Sequence, residues 1–290
     1  AYFEDYDTIQ GIDIKTGQKE LLIKVPDLLR LEAGESYIYA YTEVSGSGKG
    51  TIKAIAPQSG KVVWSTELSG SLKAWVYDSE RLFISKDDGT ILALNGSTGG
   101  DLWTIPSTGS KTSDVPLFIK GGTLIYSTWY KTATYGVDKV TGRALWNTPT
   151  YITSGAIAGS DLVFGETGKG TAAVDPATGK ELWSIPYRAL VKYASGNSLY
   201  ASVDQPLESN RPLESRLKVL SATSGAVLHT PSGVISEYFF PYTQWTEDGP
   251  RIIISGMIKS SDVLDLNHDN NKVTIRSFNK SEFLDSLKSN

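Results

Sequence analysis

Asp175-Pro176-Ala177-Thr178-Gly179-Lys180-Glu181-Leu182-Trp183 reads as a tight turn running into a strand, and versions of it return along the chain. The other turns are Asp13-Ile14-Lys15-Thr16-Gly17, Ala56-Pro57-Gln58-Ser59-Gly60, Asn95-Gly96-Ser97-Thr98-Gly99, Asp138-Lys139-Val140-Thr141-Gly142 and Ser221-Ala222-Thr223-Ser224-Gly225. In the four middle copies a tryptophan follows the glycine by four residues: Trp64, Trp103, Trp146 and Trp183. The glycines lie 43, 39, 43, 37 and 46 residues apart. Such a period marks an array of similar units, and 290 residues hold about seven of them.

Working outward from Gly179, the neighbouring segments alternate like strands. Asp161-Leu162-Val163-Phe164-Gly165 precedes a turn at Gly168-Lys169-Gly170, and Thr171 to Asp175 is the next strand. Glu181 to Ile185 follows the motif, and the small residues Ser154 to Gly159 come before. Four strands fit into about 40 residues, with no stretch of helical periodicity. Tyr37-Ile38-Tyr39-Ala40, Leu82-Phe83-Ile84-Ser85, Leu124-Ile125-Tyr126-Ser127 and Ser198-Leu199-Tyr200-Ala201 are the matching strands of other units. A four-stranded antiparallel unit that cannot bury its faces alone is a propeller blade. The expectation is an all-β chain, with residues 1–290 a single β-propeller domain of four-stranded antiparallel blades. Seven blades is the first reading and eight the alternative. The blade motifs lie at 13–17, 56–64, 95–103, 138–146, 175–183 and 221–229, and a divergent seventh blade at 233–280.

The tryptophan is read as packing, its indole covering the gap between blades. The first copy has Leu21 in that position and the sixth has His229. In the seventh unit, Val234 to Tyr242, Arg251 to Ser255, Val263 to Leu266 and Lys272 to Phe278 are the four candidate strands. The first unit starts at its second strand, Tyr2-Phe3-Glu4, and Ser281 to Asn290 is the segment available to supply its inner strand. Phe283 to Leu287 reads equally as a short helix.

The recurring Asp-x-x-Thr-Gly-Lys-x-x-Trp, nearly complete at Asp175–Trp183 and little changed at Asp138–Trp146, resembles the PQQ-like (pyrroloquinoline-quinone-like) β-propeller repeat. The resemblance runs from about Thr8 to Leu228. Within that family it points to BamB-like outer-membrane assembly propellers and other non-catalytic repeat proteins. Quinoprotein dehydrogenases of the same family hold their quinone over calcium, beside a disulfide of adjacent cysteines. This chain has no cysteine, so quinone-dependent catalysis is not expected. Iron–sulfur and zinc–thiolate centres are excluded on the same ground.

The remaining chemistry is sparse. The two histidines are His229 and His268, and there is neither a Gly-x-Ser-x-Gly elbow nor a P-loop lysine. The chain is expected not to be an enzyme. A net charge of −4 without a basic stripe argues against nucleic acid. No stretch has the ~20 apolar residues of a membrane span. Asp265, Asn267 and Asp269 alternate like the first half of a calcium loop. Asn270 stands where that loop has glycine and Arg276 where it has an acid, and a plain hairpin turn is the competing reading. Calcium is the only cofactor in view.

Long links are expected at Thr42–Gly50, around Trp129-Tyr130 and at Asp204–Ser215, all between second and third strands. In a propeller these links share a rim with the connections between blades. Loops on a rigid scaffold are where binding residues sit. Trp129, Tyr130 and Trp245 are the partner-binding candidates, with Tyr238-Phe239-Phe240 and Tyr242 nearby in sequence. Asp87-Asp88-Gly89 is read as a solvated turn. The expected function is a protein-interaction scaffold of the periplasm or the extracellular space. The alternatives are a sensor domain of a larger receptor, such as a receptor kinase, and a module binding a small ligand in the central channel.

Overall fold

In the computed structural model, residues 2–5, 7–12, 18–43, 49–107, 117–128, 133–154, 160–203, 216–230, 244–248, 251–257 and 273–286 are described. The first copy of the motif, 13–17, lies outside them.

The motif turns close because their side chains complete what the backbone begins. Asp138 Oδ1 accepts the N–H groups of Val140 (3.1 Å) and Thr141 (2.8 Å) and the Thr141 hydroxyl (2.8 Å). The Gly142 N–H donates to the Asp138 carbonyl at 2.8 Å, and the Asp138 N–H to the Arg143 carbonyl at 2.8 Å. Asn95 and Asp175 repeat the pattern with Thr98 and Thr178. Aspartate, threonine and glycine thus recur for a local reason: the side-chain oxygen satisfies turn donors, and the glycine takes a positive φ. Ala56 has no such oxygen, and its copy keeps the backbone bonds, with Gly60 N–H to Ala56 O at 2.9 Å.

The turns sit between strands of antiparallel sheets, five of four strands and two of three among the described residues. The first holds β1 (Tyr2–Asp5), β2 (Thr8–Ile12) and β3 (Lys19–Lys24). The second holds β4 (Leu28–Ala33), β5 (Ile38–Glu43), β6 (Lys49–Ile55) and β7 (Val62–Ser69). The third holds β8 (Leu72–Asp78), β9 (Arg81–Lys86), β10 (Ile91–Asn95) and β11 (Asp101–Ile105). The fourth holds β12 (Leu117–Lys120), β13 (Thr123–Thr128), β14 (Ala133–Asp138) and β15 (Ala144–Thr148). The fifth holds β16 (Tyr151–Ser154), β17 (Val163–Thr167), β18 (Gly170–Val174) and β19 (Glu181–Ile185). The sixth holds β20 (Ala189–Ser195), β21 (Ser198–Val203), β22 (Arg216–Ser221) and β23 (Val227–His229). The seventh holds β24 (Gln244–Asp248), β25 (Arg251–Met257) and β26 (Val273–Asn279), and helix α1 (Lys280–Ser286) follows it. The chain forms two compact units, Ala1–Asn147 and Thr148–Asn290.

Within each unit, neighbouring sheets bury their facing side chains. In the first unit Tyr39, Ile52, Ala54, Leu82, Ile84 and Leu94 join the second and third sheets, and Phe83, Ala93, Leu124 and Val137 join the third and fourth. In the second unit Phe164, Ala173, Val191, Leu199 and Leu220 join the fifth and sixth. Alternation along each strand sends one set of residues to each neighbour, so the second and third sheets are apolar on both faces.

The tryptophans lock these seams, as the sequence suggested. Trp64 Nε1 donates to the Gly96 carbonyl of the next sheet at 2.8 Å, and Trp183 Nε1 to the Ala222 carbonyl at 2.8 Å. Trp103 Nε1 reaches the Lys139 carbonyl at 3.4 Å. Gly96, Lys139 and Ala222 are each the second residue of a motif. Their own N–H groups donate to the hairpin between first and second strands, at Glu80 (2.7 Å), Gly122 (3.0 Å) and Asn197 (2.9 Å). The main chain of one residue therefore ties its own sheet together on one side and the preceding sheet on the other.

The outer strands carry a bulge directly before the tryptophan position. The register slips between Ala54 and Ile55, Ala93 and Leu94, Ala173 and Val174, and Val219 and Leu220. Val63, Leu102, Leu182 and Leu228 are the extra residues, and all are exposed. A bulge of this kind blunts an edge strand against pairing with another chain.

Three expected strands are revised. The inner strand of the fifth sheet is Tyr151–Ser154, earlier than Ser154–Gly159, and 155–159 lie outside the described residues. β25 pairs directly with β26, Met257 opposite Val273, so Val273–Asn279 is the third described strand of its sheet where a fourth was expected, and Val263–Leu266 lies outside the described residues. Lys280–Ser286 is helical, which overturns the reading of Ser281–Asn290 as a strand over those residues. Asn279 explains the helix. Its Oδ1 accepts from the Ser281 N–H (3.1 Å), the Ser281 hydroxyl (2.8 Å) and the Glu282 N–H (3.4 Å), much as Asp138 does in its turn. Phe283 stands where the motif has glycine, its ring is buried with Leu284, and the turn runs on as a capped helix rather than reversing.

Candidate interaction rim

The ends of second strands and the connections between sheets meet on one side of each pair of sheets. In the first unit, the Asp87 N–H donates to the Ser71 carbonyl at 2.9 Å, and Lys86 Nζ to the Ser69 carbonyl at 2.9 Å. Ser69 and Ser71 flank the link between the second and third sheets; Lys86 to Asp88 lead from β9 toward β10. Glu43, at the end of β5, accepts from the Tyr41 hydroxyl and from the Ser71 hydroxyl, the latter at 3.0 Å. The Leu72 N–H donates to Tyr41 Oη at 3.1 Å. The Ser107 hydroxyl donates to the Asp88 carbonyl.

These contacts set the electrostatics. Burial, with donation to Glu43, pushes the Tyr41 hydroxyl up to about 12. Partial burial raises Asp88, but hydrogen bonds from the Thr90 N–H and hydroxyl, with the Lys86 ammonium 3.5 Å away, prevail and hold its carboxyl below the usual range. Lys86 itself is buried at 8 % exposure, its ammonium spent on the neighbouring link. Among the described residues the Asp88 carboxylate is exposed here, and so is Lys49, opposite Ser69.

In the second unit the corresponding links carry different chemistry. Arg188, in the link from β19 to β20, donates through Nε to Glu166 Oε1 at 2.8 Å. Lys218 Nζ lies 4.9 Å from the centre of the Tyr187 ring. Thr171 Oγ1 accepts from the Ala189 N–H at 2.8 Å. Arg188 is 61 % exposed at its side chain.

Of the partner-binding candidates, one lies among the described residues. Trp129 and Tyr130 fall in the link 129–132, outside the described residues. Thr128 pairs with Ala133, so this is a four-residue hairpin link rather than a long one. Trp245 lies within β24, opposite Ile254, and so belongs to a strand and not to a rim link. Tyr238 to Tyr242 lie outside the described residues. The link 204–215 has the expected bounds, and the link in the second sheet shortens to 44–48. Asp265, Asn267 and Asp269 fall in the link 258–272, also outside the described residues. Among the described residues no group of three or more histidines and carboxylates is spaced to hold a metal ion. The rim residues Glu43, Ser71, Lys86, Tyr187, Arg188 and Lys218 were not singled out from the sequence. Their signal would have been position, one or two residues from a strand end, which requires the strand bounds.

His229 occupies the tryptophan position of the sixth sheet, as read. Its Nε2 is buried without a hydrogen-bond partner among the described residues. No helix of the described residues is long and apolar enough to cross a membrane.

The fold has known counterparts. BamB from Moraxella catarrhalis is 18 % identical, with a TM-score of 0.56, over 86 % of this chain and 76 % of that one. Hsv2 from Kluyvelomyces marxianus is 12 % identical, with a TM-score of 0.60, over 88 % and 84 %. A chain of the mitotic checkpoint complex is 12 % identical, with a TM-score of 0.62, over 87 % and 81 %. At such identities the likeness establishes the fold alone, a β-propeller of antiparallel sheets. No match is found among curated protein sequences. The sequence model described as outer membrane protein assembly factor BamB matches residues 48–211, more than half of the chain, and spans the motifs at Ala56, Asn95, Asp138 and Asp175. The chain therefore belongs to the BamB family of PQQ-like propeller proteins.

Proposed function

We propose that this protein is a non-enzymatic scaffold of the cell envelope that holds protein partners at the rim formed by second-to-third-strand links and inter-sheet links. The observation that carries this reading is the family membership over residues 48–211, a family described by its role in outer membrane protein assembly. The rim adds a physical basis. Its links are tied to one another by hydrogen bonds such as Asp87 to Ser71 and Arg188 to Glu166, so outward groups are held in place before a partner arrives. Preorganisation of that kind lowers the entropic cost of association. Trp129 and Tyr130 are proposed as anchors of the same rim, since aromatic residues are enriched at interfaces. Calcium at Asp265, Asn267 and Asp269 remains a proposal of its own: titration calorimetry giving no heat and no rise in Tm with calcium would remove it.

The test is affinity capture from envelope extracts with the wild-type chain and a Trp129→Ala/Tyr130→Ala variant. A discrete protein retained by the first and lost by the second is the expected result. Recovery of no protein, together with saturable binding of a small ligand, would overturn the scaffold reading.

A further inference from the structure

We propose that Asn95 is a latent deamidation site that the folded turn holds shut, and whose aspartate product the turn accepts without loss. Asn95-Gly96 is the one Asn-Gly pair of the chain. Glycine offers no side chain to obstruct attack by its own nitrogen, so this pair is the chain's most reactive amide in an unfolded segment. In the reaction the Gly96 nitrogen gives up its proton and bonds to Asn95 Cγ, the Cγ–Nδ2 bond breaks, and ammonia leaves with that proton. Water then opens the ring. Attack at Cγ yields aspartate; attack at the main-chain carbonyl yields isoaspartate. The sum is amide plus water to acid plus ammonia.

The geometry blocks the first step from both partners. The Gly96 N–H donates to the Glu80 carbonyl at 2.7 Å, and the residue is buried, so the proton is held away from water. The Gly96 carbonyl receives Trp64 Nε1 at 2.8 Å and the Tyr39 hydroxyl at 3.2 Å. The Asn95 carbonyl accepts from the Gly99 N–H at 2.8 Å, so the Asn95–Gly96 peptide is held at both ends, Gly96 is held at its own carbonyl as well, and the nitrogen cannot turn onto Cγ. The carboxamide is fixed in turn: Asn95 Oδ1 accepts from the Ser97 N–H (2.9 Å), the Thr98 N–H (3.0 Å) and the Thr98 hydroxyl (3.2 Å).

The product fits for an independent reason. Asp138 and Asp175 occupy the same place in their motifs and accept the equivalent bonds. An aspartate at 95 finds the same donors already aimed at it. Isoaspartate does not, since its extra backbone carbon moves the Gly96 carbonyl off Trp64. Deamidation here is thus coupled to opening of the seam between the second and third sheets, and it divides into a silent product and one that keeps the seam open.

The experiment is peptide mapping by mass spectrometry after incubation at mildly alkaline pH, on the native protein and on the protein held in guanidinium. Conversion at Asn95 at least about tenfold slower in the native protein is the expected result, since a seam opening that costs ~1.4 kcal/mol or more gives that factor. Equal rates would overturn the proposal. Asn95→Asp should keep its Tm within about 2 °C of the parent or exceed it, and a fall of more than ~4 °C would overturn the claim that the product fits. Trp64→Phe, confirmed folded by circular dichroism, should raise the native conversion rate severalfold; an unchanged rate would overturn the clamp.

Discussion

Gly99 shows how much a single position of the motif has to satisfy. It takes a φ of +73°, and a Cβ there would lie 2.6 Å from Trp64 Cε3 of the preceding sheet. The glycine is therefore required twice, once by the turn and once by the tryptophan packed on it. Gly99→Ala should cost about 3 kcal/mol, combining left-handed backbone strain with overpacking, measured as a shift in the urea midpoint. The sequence revealed the first requirement and not the second, because the residue that crowds Gly99 is 35 positions away and belongs to another sheet. The converse holds at the hairpin from β8 to β9, where Ser79 and Glu80 have φ of 48° and 65° without being glycine. The corresponding hairpins of the fourth and sixth sheets use Gly121-Gly122 and Gly196-Asn197. Glu80→Gly keeps the carbonyl that Gly96 binds and relieves the strain. It should raise stability by about 1 kcal/mol in the same assay.

Lys192 on one side and Tyr126 and Tyr41 on the other give the sheets opposite responses to alkali. Lys192 is the bulged residue of β20, between Val191 and Tyr193, and burial depresses its ammonium to about 8 from 10.5. Tyr126 on β13 is raised to about 12 from 10.0 by burial and by the neighbouring Tyr135, and Tyr41 likewise. For the lysine, the unfolded chain binds more protons than the folded one between pH 8 and 10.5, so stability rises with pH through that window. For the tyrosines, the folded-state pKa lies above the unfolded value. Their contribution is complete below pH 10 and is lost as pH rises through about 12. The urea midpoint should climb from pH 8 toward 10 and fall beyond it, and Lys192→Met should abolish the climb. Sequence pattern located β13 and β21 as elements, because turns and β-branched or aromatic runs are local. It did not locate β20 or its bulge at Lys192, and it left Phe283–Leu287 open between strand and helix. Bulges arise from pairing with a partner strand, and the helix arises because Phe283 finds a buried place that a single sequence does not display.

Over the whole molecule, the motif turns that stabilise the sheets and the links proposed for recognition lie at different ends of the sheets. The motif turns and tryptophans carry the repeat, which is why the propeller could be read from six short phrases. The rim is assembled from strand ends and links in which the repeat is broken, so only its general position, on second-to-third-strand links, was legible. Its chemistry was not. Glu43, Ser71 and Lys86 acquire their arrangement only when two sheets meet, and these groups in the first unit differ from Arg188, Lys218 and Tyr187 in the second. This division makes a prediction that neither scale below can. Trp183→Ala removes the indole bond to Ala222 and the packing on Gly225, and should cost about 3 kcal/mol or more. Below its own melting point it should still retain partner in the capture assay, since the rim links are tied by separate bonds. Arg188→Ala, exposed and paired with one carboxylate, should change stability by less than ~1 kcal/mol. If the second unit takes part in binding, this variant should lose partner at elevated salt before the parent does. Loss of capture by Trp183→Ala with full retention by Arg188→Ala would place recognition at the motif end of the sheets instead.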